Sequence, residues 1–162
     1  MDRIAALRQR LEEAFRGSRY HSFLGSLRGV SEEAARWTPP HYRSFPHMTG
    51  SILNLAFHTG ADKSVLISCS FGDGSVTWQQ MTARFESLGG DLKAAKRLAE
   101  EGHAKVLQTL ASLTDADLQQ MRPYYGGKRL TTYELFAIIA EHDLYHAGQI
   151  NYVRCLIEGL KR

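Results

Sequence analysis

Apolar residues recur at helical spacing from the first residues of the chain. Ile4, Leu7, Leu11 and Phe15 make one stripe, and Tyr20, Phe23, Leu24 and Leu27 make a second, offset near Gly17-Ser18. The pattern predicts a first long helix over residues 3–27 with an irregularity near its middle. Ser31 opens a short turn, which ends at Trp37-Thr-Pro39-Pro40 because a proline biases the residue before it away from the helical region. A loop containing Pro46 follows. Over about residues 49–68, Ile52, Leu55, His58, Asp62, Val65/Leu66 and Cys69 mark a second helix.

The middle of the chain changes character. Phe71-Gly-Asp-Gly-Ser75 reads as a turn, residues 76–88 as a short helix, and Gly89-Gly90 as a break. Asp91 caps a third helix that carries Leu92, Ala95, Ala99, Val106, Leu110 and Leu113 on one side. Thr114-Asp115-Ala116-Asp117 starts another turn, and Tyr124-Tyr125-Gly126-Gly127 is a loop. Thr131 with Glu134 forms a capping box for the fourth helix, and Gly159 fits the C′ position at its end. That helix is on the order of 40 Å long at 1.5 Å per residue. Four long helices without alternating strands or internal repeats predict an all-α fold. The arrangement expected is a four-helix bundle with a long crossover between helices two and three, in one domain over residues 1–162.

Composition narrows the function classes. Hydrophobic residues are 43% and charged residues 23% of the 162, close to the globular average, so neither a disordered nor a membrane-embedded chain is expected. Apolar runs such as Ile138-Ile139-Ala140 stop far short of the roughly 20 residues a spanning helix needs. Met1-Asp2-Arg3 opens an amphipathic pattern rather than a signal peptide, so the expected location is the cytoplasm, with no membrane partner. The net charge of +3 comes from Lys and Arg scattered among Asp and Glu, which does not indicate a nucleic-acid partner. Cys69 and Cys155 read as free thiols.

The histidines carry the chemistry. His142 and His146 lie four residues apart on the fourth helix, so they project the same way with Cβ atoms roughly 6 Å apart. They fall on the apolar stripe of Leu135, Ile138, Ile139, Ile150, Val153 and Ile157. Two neighbouring imidazoles among aliphatics need a partner for each ring nitrogen, and a shared metal ion supplies one. His58, on the stripe of helix two, is the candidate third ligand, with Asp62 one turn on to fix the tautomer of a ligand histidine. Three imidazoles leave an open coordination position. Imidazole must be neutral to ligate, so metal affinity is expected to fall as pH drops through about 6.5. The bland alternative is a satisfied core pair or surface histidines. His103, near the inward face of helix three, is a candidate fourth ligand; His21 falls off the stripe of helix one, and His41 and His47 sit in loop. Cys69 is a poor partner for His58, about 16 Å along the helix.

The run Glu141-His142-Asp143-Leu144-Tyr145-His146-Ala147-Gly148-Gln149-Ile150 resembles the H-D-x-x-H-x-G-Q-I ending of the DinB/YfiT-like superfamily. Ser31-Glu32-Glu33 to Trp37-x-Pro39, the run from Ser51 to His58, and Tyr125-Gly126 before Thr131 also fall where that family has comparable features. The resemblance implies an up-down-down-up four-helix bundle and a zinc, nickel or iron site made by His58, His142 and His146. It also implies a homodimer in many members, and relatives that act as thiol S-transferases with low-molecular-weight thiols. The leading expectation is therefore a metal-dependent enzyme that activates a small thiol, or water as a hydrolase would, against a small-molecule substrate. Asp62, Tyr145 and Gln149 border the site and are candidates to orient a ligand or relay a proton. A non-catalytic metal- or ligand-binding stress-response protein is the alternative, distinguished by whether a cavity opens beside the metal.

Overall fold

The computed structural model describes residues 2–40 and 48–160, so His41, Pro46 and His47 lie outside the described residues. Helix α1 spans Arg3–Arg16, capped by the Asp2 carboxylate on the Ile4 amide. The expected single helix over residues 3–27 stops here. Gly17 leaves the helical region with ψ −131° while its amide still donates to Glu13 O at 3.0 Å, and a Cβ there would stand 2.4 Å from that oxygen. The chain restarts at Ser22, whose hydroxyl donates to Ser18 O (2.7 Å) and accepts from the Gly25 amide (3.2 Å), giving α2, Phe23–Ser26. Both apolar stripes are nonetheless used, because Phe15, Phe23 and Leu27 enter one buried cluster.

Helix α3, Glu32–Arg36, starts on a Ser31 cap and ends at an extended Trp37. Ser51 caps α4, Ile52–Phe71. The connection after it contains α5, Trp78–Ser87, opened by a Thr77–Gln80 capping box. Asp91 caps α6, Leu92–Ala111, as the sequence predicts. A short 3₁₀ turn, Asp117–Gln119, then leads into a ribbon that periodicity did not show. Strand β1, Met121–Pro123, pairs antiparallel with β2, Arg129–Thr131, with Met121 opposite Thr131. Three-residue strands are too short to carry an alternating pattern. The turn between them needs Gly126 and Gly127 at φ 66° and 74°, a region costly for a residue with a Cβ. Helix α7, Thr132–Gly159, has the expected Thr131–Glu134 capping box. Its end differs from expectation, since Gly159 is the last helical residue and the cap is a right-handed Leu160.

The fold is all-α apart from this ribbon. Helix α1 packs on α6 and α7, and α4 packs on α6 and α7. The α4–α6 contact is close because Gly60 meets Gly102: a Cβ on Gly60 would lie 2.7 Å from the Ala99 amide, and one on Gly102 would lie 2.9 Å from Gly60 O. One apolar cluster centres on Phe15, Phe23, Ile52, Leu55, Ala99 and Ile150, and another on Leu11, Leu66, Val106, Leu110, Leu135 and Phe136. Each draws on all four long helices. Among the described residues no helix is long and apolar enough to cross a membrane. Cys69 is half-buried and Cys155 exposed, and both are free thiols.

Candidate metal centre

Helix α4 places His58 and Asp62 one turn apart, and α7 places His142 and His146 one turn apart on the face that α4 meets. The three imidazoles converge. Each offers a ring nitrogen such that the three lie within 4.8 Å of one another. The His58 ring meets His142 edge-on at 5.2 Å and His146 at 5.1 Å, while Trp78 of α5 stacks parallel to His58 at 5.2 Å and 9°. His142 Nε2 and His146 Nε2 face each other at 2.9 Å.

The outer nitrogens bear on what those facing atoms carry. His146 Nδ1 lies 2.7 Å from Gln149 Oε1, and Gln149 Nε2 donates to the Tyr145 hydroxyl at 3.0 Å, so the amide turns its acceptor to the ring. His142 Nδ1 lies 3.5 Å from Asp62 Oδ2. With its proton on Nδ1 toward Gln149, His146 presents a bare Nε2 to His142 Nε2, so the facing pair shares either one His142 proton or an electrophile such as a metal ion. Nitrogens bound to one zinc-sized ion at about 2.0–2.1 Å stand about 2.9–3.4 Å apart for right-angled to tetrahedral geometry. The observed 2.9 Å fits that donor set. Burial lowers both imidazoles to about 3, with His58 and Lys63 adding to the effect on each and His142 also acting on His146; both therefore stay neutral, as ligands must. The cluster is compatible with one metal ion.

Asp62 links the centre to the ribbon. Its Oδ1 accepts from the Tyr125 hydroxyl at 2.8 Å, and burial raises its carboxyl above the usual range against the lowering effects of Tyr125, His58 and Lys63. The same desolvation, with Asp62 nearby, pushes the Tyr125 phenol up. Beside the histidines lies a cavity of about 550 Å³, bordered by His58, Asp62 and His142 and walled by Phe57, Trp78 and Tyr124 among others.

A profile of the DinB superfamily matches residues 14–150. The chain belongs to the DinB superfamily. No curated protein matches it. In this DinB-superfamily chain the candidate residues separate clearly. His58, His142, His146 and Asp62 share one site, and Gln149 buttresses His146. Tyr145 is 54% exposed and reaches the site only through Gln149 and an edge contact with His146 at 5.0 Å. His103 is outside the cluster: it stacks on Phe15 at 3.9 Å and its Nε2 faces Glu12 at 3.4 Å. His21 is exposed and interacts with Ser18.

Three contributors escaped the sequence reading. Trp78 and Tyr125 come from segments with no histidine pattern, and nothing local shows that the crossover folds back over His58. The third is Lys63, fully buried and paired with the equally buried Asp143. Its signal was present, because Lys63 falls between Thr59 and Leu66 on the buried face of α4.

Proposed function

We propose that the protein binds one divalent ion, zinc or nickel before iron, through His58, His142 and His146 and is a thiol S-transferase, with water activation as its hydrolytic variant. The observation that carries the reading is the pair of Nε2 atoms meeting at 2.9 Å at the edge of a 550 Å³ cavity. A bound ion would supply Lewis acidity, lowering the pKa of a thiol or water at its open position. The chain's own residues do the rest. Gln149 holds His146 in the tautomer with Nε2 free, Asp62 Oδ2 faces His142 Nδ1 at 3.5 Å, and Tyr125 fixes the Asp62 carboxylate by donating to it. Trp78 and Tyr124 wall the space beside them. A closed storage site would be filled by packing or a fourth protein ligand, so the cavity favours the enzyme over a stress-response binding protein.

The reading includes an up-down-down-up helix bundle. Its support is that Arg3 lies over Tyr133 and Arg10 pairs with Glu141 along α1 and α7, while Gly60 meets Ala99 and Lys63 meets Gly102 along α4 and α6. Across α4 and α7 the order inverts, with Lys63 on Asp143 and Phe71 on Phe136.

The test has two parts. Untagged protein is expected to hold about one ion per chain, and His142→Ala or His146→Ala to weaken binding by about tenfold or more, read by competition with a chromogenic chelator. A panel of low-molecular-weight thiols with a chromogenic electrophile is expected to give turnover with wild type and background rates with His58→Ala and metal-free protein. Equal rates for all three proteins, with metal binding intact, would leave the non-catalytic reading in place.

A further inference from the structure

The crossover helix α5 lies against α4 and α6 by one face. Trp78, Met81, Phe85 and Leu88 recur at helical spacing on it, while Gln79, Gln80, Ala83, Glu86 and Ser87 stand in solvent. Met81 is the buried side chain of the helix, packed with Ala61, Val65 and Leu98. Phe85 lies on Phe57 at 4.6 Å, and Trp78 stacks on His58 at 5.2 Å and 9° from parallel. The Arg84–Glu101 ion pair, at 2.6 Å, is solvent-exposed on both sides and holds little.

A helix of ten residues is shorter than the roughly 12–15 at which an isolated helix becomes marginal in water, so α5 owes its order to this docking. Its two ends are tied differently. After it, Gly90 O accepts from the Arg36 guanidinium (2.9 Å) and the Leu92 amide donates to Glu32 (2.9 Å), which fixes that joint to α3. Before it, Gly72-Asp73-Gly74-Ser75 is exposed, and the Gly74 and Val76 amides return to Ser68 of α4 at 3.0 and 3.1 Å. Trp78 stands at this second end, and among the described residues its ring partner is His58.

Coordination of His58 would draw electron density out of its imidazole and stop the ring from turning. The indole face is electron-rich and stacks more strongly on an electron-poor ring, and a ring already fixed loses less freedom when it is stacked. Ion binding and docking of α5 therefore favour each other, and linkage makes the effect equal in both directions. We infer that α5 is a metal-linked cover: Trp78 latches it onto His58, an ion held by the three histidines tightens the latch, and the wall that Trp78 and Thr82 give the cavity is thereby set in place. The inference rests on the metal reading of the site and not on the reaction assigned to it. Loaded protein presents a completed cavity, and metal-free protein a looser one.

The experiment is hydrogen exchange of the full chain at neutral pH, read by mass spectrometry without metal and with zinc, while equilibrium dialysis measures zinc occupancy separately. In metal-free protein the amides of α5 are expected to exchange faster than those of α4 and α6. Zinc is expected to slow α5 about five- to tenfold, and Trp78→Ala to abolish that slowing and to weaken zinc binding by a similar factor. Trp78→Leu keeps apolar bulk on the inner face without the indole. It is expected to leave α5 close to wild type in metal-free protein and unresponsive to zinc, with circular dichroism confirming that both variants fold. Slowing of α5 that persists in both variants would be a general effect of the ion on the fold and overturns the proposal. So does α5 exchange indifferent to zinc in wild-type protein that holds it. Absence of bound zinc in the dialysis is the separate failure of the metal reading, and the coupling falls with it.

Discussion

His103 is buried on α6 with its ring stacked 14° from parallel on Phe15. The charged groups around it are Glu12 and Arg16 of α1 and Lys63 of α4; burial first, then Lys63, lower it to about 4, with Glu12 opposing. An unfolded histidine takes its proton near 6.5, so between about 6.5 and 4 the unfolded chain binds a proton that the folded chain refuses. Stability therefore falls as pH drops through that window and is unaffected above it. His103→Leu should lose this component: its urea-denaturation stability should fall less steeply than wild type below pH 6.5, by up to one proton, or about 1.4 kcal/mol per pH unit. Metal-free protein serves for both, so effects of His142 and His146 cancel in the comparison. Identical slopes would show that the residue titrates normally. The sequence placed His103 only near an inward face, and the three site histidines were legible because each falls on an apolar stripe. What spacing could not reveal was which inward histidine meets a ring and which meets other histidines. The expected fall in metal affinity near pH 6.5 took the imidazoles at their free value, and in the metal-free site burial lowers His142 and His146 to about 3.

At the scale of elements, α4 and α7 meet through two adjacent pairs of residues. Asp62 faces His142 on the cavity side, and Lys63 pairs with Asp143 on the core side, where both are sealed from solvent. The Lys63 ammonium also lies 5.2 Å from the Phe15 ring and 5.4 Å from Phe23. A buried ion pair is a weak source of net stability, but it is a strong constraint on register, because sliding either helix leaves a charge alone in the core. Lys63→Met alone should destabilise the fold by about 3–5 kcal/mol, whereas Lys63→Met with Asp143→Leu should recover most of the loss, read from urea-denaturation midpoints. A double variant as unstable as the single one would refute this account. Most helices were legible from their stripes and caps, with Asp91 and the Thr131–Glu134 box correctly placed. The break at Gly17 was not, because periodicity records which face is apolar and not whether the axis continues. Phe15 and Phe23 reach the same cluster from two separate helices. The β1–β2 ribbon was invisible for a different reason, since its order comes from pairing across the turn.

For the whole molecule, the question is whether the histidine centre holds the fold or is held by it. Both large apolar clusters join α1, α4, α6 and α7 without using any of the three histidines, and the Gly60–Gly102 contact locks α4 to α6 independently. A core of this extent can organise a chain of 162 residues without a metal staple. An ion bound only by the folded state then adds linkage energy, about 2.7 kcal/mol when present at 100 times its dissociation constant. For a domain of this size each kcal/mol moves the melting temperature by about 2–4 °C, so removing the ion should lower it by about 5–10 °C. Chelator-treated protein is thus expected to keep its helical circular dichroism at room temperature and to melt cooperatively at the lower temperature. Loss of the helical signal on chelation would instead mean that closing the two facing Nε2 atoms around an ion is a condition of folding. The cavity would then be a by-product of a structural site.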